Sequence, residues 1–158
     1  MPLLILALLI GIIAGLRSMT APAIVSWAAR LGWIHLNSSW LAFLGYSWTP
    51  WILSIAALGE LIADKLPTTP SRKLPPSFAF RIVSGSISGA AIGISRGSLL
   101  LGLIGGAIGA VIGTLGGAAA RSLLSKLFGR DLPAALLEDA IAIAGAILIV
   151  KAADRLVN

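Results

Sequence analysis

The chain has 158 residues, of which 58% are hydrophobic and 11% charged, and its mean hydropathy is +0.98. Ordinary soluble domains carry about 25% charged residues, so this composition excludes one and describes a single small integral membrane domain over residues 1–158. The formal charge of +6 comes from single residues at the ends of apolar runs, where Lys and Arg anchor to lipid head groups. No basic stripe with interleaved aromatics exists, so nucleic acid is not an expected partner. The absence of cysteine excludes disulfides, thiolate metal sites and thiol nucleophiles, and His35 is the lone histidine. No metal site, cofactor or catalytic residue is assigned.

In chain order, Met1 to Leu16 is apolar, with Gly11 and Gly15 one helical turn apart. No side-chain cation precedes Arg17, which favours a retained helix over a cleaved leader. Sixteen residues fall short of the roughly 20 needed to span a bilayer. The first span is therefore expected to run on through Arg17-Ser18-Met19-Thr20-Ala21 towards Trp27, broken near Ala21 because Pro22 follows. A broken helix that carries Arg17, Ser18 and Thr20 at membrane depth lines a cavity or is buried in protein; the plainer alternative is that Arg17 ends a short helix and snorkels to the interface. Trp27, Trp33, Trp40, Tyr46, Trp48 and Trp51 then form an aromatic region suited to the head-group level.

Trp51 to Leu66 reads as a helix that begins apolar and ends charged. Glu60 and Asp64 share one face, where like charges repel unless a cation or proton lies between them. Such a pair faces the interior, an aqueous cavity or a basic partner, or else sits at the water interface with Lys65. Four prolines make Pro67 to Pro76 a polar loop, and Phe78 opens the next span with Arg81 in its first turn.

A glycine ladder follows. Gly85, Gly89, Gly93 and Gly97 recur every fourth position, Arg96 interrupts, and Gly105, Gly109, Gly113 and Gly117 repeat the spacing. Interior glycines cost a helix in water about 1 kcal/mol each, whereas in hydrocarbon the backbone stays helical and small residues let helices approach closely. Two glycine-faced helices turning at Arg96 are predicted, packed on each other or on a second copy. After Arg121, Gly129-Arg130-Asp131 reads as a turn, and Pro133 starts a last helix with Glu138 and Asp139 early in it. The order small-faced helix, arginine, proline, acidic pair occurs twice, which makes residues 1–77 and 78–158 candidate halves of an inverted repeat. The predicted architecture is all-α: a polytopic transmembrane helical bundle of about five spans, with glycine-faced helices and a broken first helix.

Three segments carry a family resemblance: GLRSMTAPA (Gly15 to Ala23), GELIADKLP (Gly59 to Pro67) and LLEDAIAI (Leu136 to Ile143). They resemble the small bacterial integral membrane proteins grouped as domain of unknown function 4126. The resemblance implies a multi-pass protein of the bacterial inner (cytoplasmic) membrane and brings no activity with it. Its motif positions here are Arg17, Glu60, Asp64, Lys65, Arg121, Glu138 and Asp139. With five spans, six cations in the loops that share a side with the N-terminus face four on the other, a slight bias towards a cytoplasmic N-terminus.

Three functions follow from the charges. In the first, the chain carries a small anionic solute: Arg17, Arg81 and Arg121 attract it, Glu60, Asp64, Glu138 and Asp139 hold the coupling proton or cation, and Ser18, Thr20 and Lys65 are further candidates for binding substrate or ion. So small a chain is expected to work as a homo-oligomer, a dimer meeting on a glycine face. In the second it is a structural or lipid-organising subunit whose charges pair with one another. In the third, Arg17-Ser18-Met19-Thr20 acts like the loop of a membrane lipid-phosphate phosphatase. Transport is preferred and enzymatic activity is not expected.

Overall fold

The computed structural model describes residues 2–66 and 71–155, and within them the chain is helical. Its elements are α1 (Leu3–Leu16), α2 (Thr20–Arg30), a 3-10 turn (Trp40–Gly45), α3 (Thr49–Ala63), α4 (Pro75–Ser95), α5 (Leu99–Phe128) and α6 (Asp131–Arg155). Three of these, α4, α5 and α6, are long and apolar enough to cross a membrane; α1 and α3 are apolar but shorter.

The glycines determine how the long helices meet. On one face of α5, Gly102 and Gly106 lie against Gly85, Gly89 and Gly93 of α4, and a Cβ at Gly89 would fall on the Gly102 carbonyl oxygen. On the next face, Gly105, Gly109 and Gly113 receive α1, and a Cβ at Gly109 would fall on the Leu8 carbonyl oxygen. Backbone touches backbone along both seams, so α1, α4 and α5 form a tight three-helix sheaf. Both ladders are thus used inside the chain and leave no glycine face from them for a second copy. Gly97 departs from the predicted ladder. It lies in the α4–α5 turn with φ +78° and nothing near its Cβ position, so it supplies left-handed backbone there and packs no helix.

The first span differs from expectation in direction. The chain does not run on past Arg17. Leu4 lies beside Gly105 and Leu16 beside Gly117, so α1 runs parallel to α5. Ser18 and Met19 lie against Glu60 while Trp27 reaches Ser54, so α2 runs back, antiparallel to α3. α1 and α2 therefore form a V-shaped hairpin with its tip at Arg17-Ser18-Met19. The break lies at extended Arg17 (φ −139°, ψ 107°), ahead of Pro22, which sits in the first turn of α2 where a missing N–H costs nothing. The same reason moves the start of α4: Pro75 and Pro76 belong to its first turn instead of ending a loop. Pro67 and Pro70 lie outside the described residues.

Directions alternate through the chain, so α1 begins and α6 ends at one end of the bundle. The α3–α4 connection and the α5–α6 turn lie at the other. Three helices precede residues 64–74 and three follow with opposite directions, although their lengths of 14, 11 and 15 residues against 21, 30 and 25 do not match. The outer surface is apolar: Ile52, Ile55, Leu58 and Ile62 on α3, Leu100, Ile104, Ile108 and Leu115 on α5, and Ile141 and Leu148 on α6 are exposed. Four charged side chains, Arg17, Arg81, Glu138 and Asp139, are buried inside, Arg17 fully.

Candidate functional site

The hairpin tip is a chemical problem, because it exposes the last carbonyls of α1 and the first N–H groups of α2 to a dry interior. Two charges from neighbouring helices solve it. Glu60 of α3 accepts from the Ser18 N–H (2.8 Å), the Ser18 hydroxyl (2.7 Å) and the Met19 N–H (2.8 Å), which places an anion at the positive end of α2. Arg81 of α4 donates through Nη1 to the Gly15 and Leu16 carbonyls, both at 2.9 Å, which places a cation at the negative end of α1. Both positions agree with the helix dipole, and Glu60 and Arg81 are themselves 3.5 Å apart. Ser84 also donates to the Ser18 carbonyl, and Thr114 of α5 reaches the Gly15 carbonyl at 3.4 Å.

Arg17 points from the tip to the other side, towards α3 and α6. Its Nη1 donates to Asp64, its Nη2 lies 2.5 Å from Asp139 Oδ1, and Glu138 is 3.8 Å away. Arg17 Nε has no hydrogen-bond partner among the described residues. Lys65 extends the chain of charges, with Nζ 2.6 Å from Asp139 Oδ2 and 2.8 Å from the Leu61 carbonyl. Arg72 clasps Glu138 with two contacts, at 2.5 and 3.0 Å. Arg121 binds Asp131 at 2.7 and 3.0 Å, donates to the Asp64 carbonyl at 3.2 Å and lies 3.5 Å from Glu138.

The predicted residues Arg17, Glu60, Asp64, Lys65, Arg81, Arg121, Glu138 and Asp139 are thus brought to one end of the bundle. Ser18 is engaged by Glu60. Thr20 is set apart from them: its hydroxyl is buried without a described hydrogen-bond partner, and the residue lines a separate, largely apolar cavity of about 320 Å³ between α2, α3 and α6. Glycine 117 faces the charges, and its Cβ position lies 3.3 Å from Arg72 Nη1 and 3.4 Å from Glu138 Oε1. Sequence reasoning missed Arg72 and Asp131, assigned to a loop and a turn. The one available signal was that each lies two or three residues before a proline near a helix start.

Five carboxylates (Glu60, Asp64, Asp131, Glu138, Asp139) meet five cations (Arg17, Lys65, Arg72, Arg81, Arg121) here, so the cluster is neutral and the chain's whole excess of +6 lies elsewhere. A cavity of about 340 Å³, lined by Asp64, Ser71, Arg72, Arg121, Ser125 and Asp131 among others, opens on it from the bundle end. The tip is recessed from that end. At a rise of about 1.5 Å per residue it lies about 12 Å below the start of α6 at Asp131, and about 16 Å below the end of α5.

Long apolar helices, a greasy exterior and a charged, recessed interior are the makeup of a helical membrane protein. More narrowly, the chain belongs to the family described as domain of unknown function (DUF4126), whose profile matches residues 4–153. No match was found among curated proteins or solved structures.

Proposed function

We propose that the protein is a carrier of the bacterial inner membrane that moves a small anionic solute with coupling to a proton or cation. The supporting observation is the recessed hairpin tip, which offers a fully buried arginine shared between two carboxylates beneath an open polar cavity. Non-helical backbone at such depth is found where it lines a cavity or is buried in protein, and discontinuous helices are a recurrent way to build a transport site. Glu60 and Arg81 hold the hairpin in place, so the moving charge is assigned to Asp64 and Asp139 around Arg17. Neutralising either carboxylate would loosen Arg17, which is held between the two. The end that holds the α3–α4 and α5–α6 connections carries Lys65, Arg72, Lys73, Arg121, Lys126 and Arg130, against Arg30, Arg96, Lys151 and Arg155 at the other. The positive-inside rule favours a cytoplasmic side for the larger set, with the N-terminus then on the opposite side from the five-span expectation. A homodimer is retained in this reading, on the exposed α3 face of Ile52, Ile55 and Ile62.

The test is current from reconstituted protein on a solid-supported membrane, challenged with proton gradients and small anions. A substrate-dependent current that disappears in Asp139→Asn, while the variant still purifies as a folded protein, is the expected result. No current across the panel rejects coupled, charge-moving transport. The exact balance of five charges against five favours a second reading, a structural or lipid-organising subunit, in which the network only fastens α1–α2 to α3 and α6. The phosphatase reading gains nothing from the geometry, because Arg17 and Ser18 are already held by carboxylates.

A further inference from the structure

We propose that the groove between α5 and α6 binds one acyl chain of a zwitterionic phospholipid of the surrounding bilayer, with its phosphate at Arg121 and its ammonium at Asp131. This names a ligand of the same charged site. It rests on the membrane placement above and not on transport.

The groove has a volume of about 300 Å³, at the lower end of the roughly 300–1,000 Å³ typical of small-molecule sites. Its floor is Ile12 and Leu16 of α1, and its lips are Ile112 of α5 with Leu137 and Ile141 of α6. Ile112, Leu137 and Ile141 are all exposed, so the groove opens sideways. Gly116 lines it with nothing near its Cβ position, in contrast to the glycines that carry α1 and α4. The space is therefore not filled by the protein's own packing.

Arg121 is the residue that lines both this groove and the polar cavity at the bundle end, so an apolar slot and a charged chamber meet at one guanidinium. Its Nη1 has Glu138 at 3.5 Å as its described contact, leaving that edge of the fork weakly engaged, and Arg presents paired donors that suit a phosphate. Its strongest partner, Asp131, is 58% exposed at the side chain, and exposed ion pairs hold weakly. A phosphate can take the place of Asp131, which then faces the chamber as a free carboxylate. The chamber presents two carboxylates, Asp64 and Asp131, and two guanidiniums, Arg72 and Arg121. A head group with both signs matches that balance, whereas an anionic one leaves Asp131 facing a like charge. A primary ammonium, as in phosphatidylethanolamine, also donates hydrogen bonds to the displaced carboxylate.

The experiment is native mass spectrometry of the full chain in detergent. It is titrated with phosphatidylethanolamine or with phosphatidylglycerol of the same acyl chains, and thermal melting with inorganic phosphate is run in parallel. The wild type is expected to retain the ethanolamine lipid about tenfold more tightly, the loss of one charged contact. Gly116→Leu should lose both lipids while melting no lower than the wild type, and Asp131→Asn should keep lipid but lose the preference. Equal or reversed preference in the wild type overturns the proposal, as does undiminished retention in Gly116→Leu. Stabilisation by phosphate equal to that by lipid also overturns it, by making the site one for a free anion. No gradient is involved, so failure here is separate from failure of the transport current.

Discussion

The two sides of this small bundle hold together by opposite means. Along α1, α4 and α5 the helices touch through glycine, backbone on backbone, and charge reaches these seams at the tip end, where Arg81 caps α1 and Glu138 lies by Gly117. Around the hairpin tip the α1–α2 turn is joined to α3 and α6 through charge, while the body of α2 shares an apolar core with α6 through Ala21, Val25, Ala28, Ala142 and Ala146. In a non-aqueous surround apolar side chains gain little by leaving lipid for protein, so close packing and polar contacts remain as the forces that join helices. This chain uses each on a separate side, and the glycine side brings the arginine tip to the height where the carboxylates wait.

The comparison can be broken at several points. The largest effect is expected at Arg17→Met, which takes the shared cation from buried Asp139 and half-buried Asp64; removing one member of a buried ion network costs about 3–5 kcal/mol. Little folded protein should survive size-exclusion chromatography after mild heating. Gly106→Ala comes next. Its Cβ would fall on the Gly85 carbonyl oxygen, and overpacking of a close interface costs about 1–3 kcal/mol, visible as a lowered melting temperature in detergent. The same substitution at Gly59 should have the opposite sign. Gly59 is helical with open space at its Cβ position, so Gly59→Ala is expected to stabilise by up to about 1 kcal/mol through helix propensity. If both alanines destabilise equally, the glycines are not distinguished by packing. The smallest change is expected from Asp131→Asn, whose exposed pair with Arg121 is worth about 1 kcal/mol or less. A loss as large as that of Arg17→Met would erase the distinction between the recessed charges and the rim.

The glycine side was legible in the sequence because a four-residue spacing is a local signal. Its second row was not: Gly102 and Gly106 pack as closely as the predicted positions, but they fall outside the regular ladder and interdigitate with it. The charged residues were legible as expensive, and so as candidates, but their pairing was not. Glu60 looked like half of an acidic pair with Asp64, since both lie on one face of one helix. In the fold the two diverge, Glu60 to the N–H groups at the tip and Asp64 to Arg17. That split depends on the hairpin, and the hairpin was hidden because Pro22 marked a break five residues too late. An X-Pro signal states only that the preceding residue avoids helix, and within the first turn of α2 that preference is overridden by packing. Arg72 escaped notice because its partner, Glu138, lies 66 positions away.

The hairpin has a direct test. If α1 and α2 form a V and the later helices alternate, the N-terminus and C-terminus lie on the same side of the membrane. Compartment-specific reporters fused to each end of the full-length chain, in separate fusions, should report the same compartment in the same proportion. Opposite compartments would mean that the first helix continues across as one broken span, and the tip with its capping by Glu60 and Arg81 would be wrong.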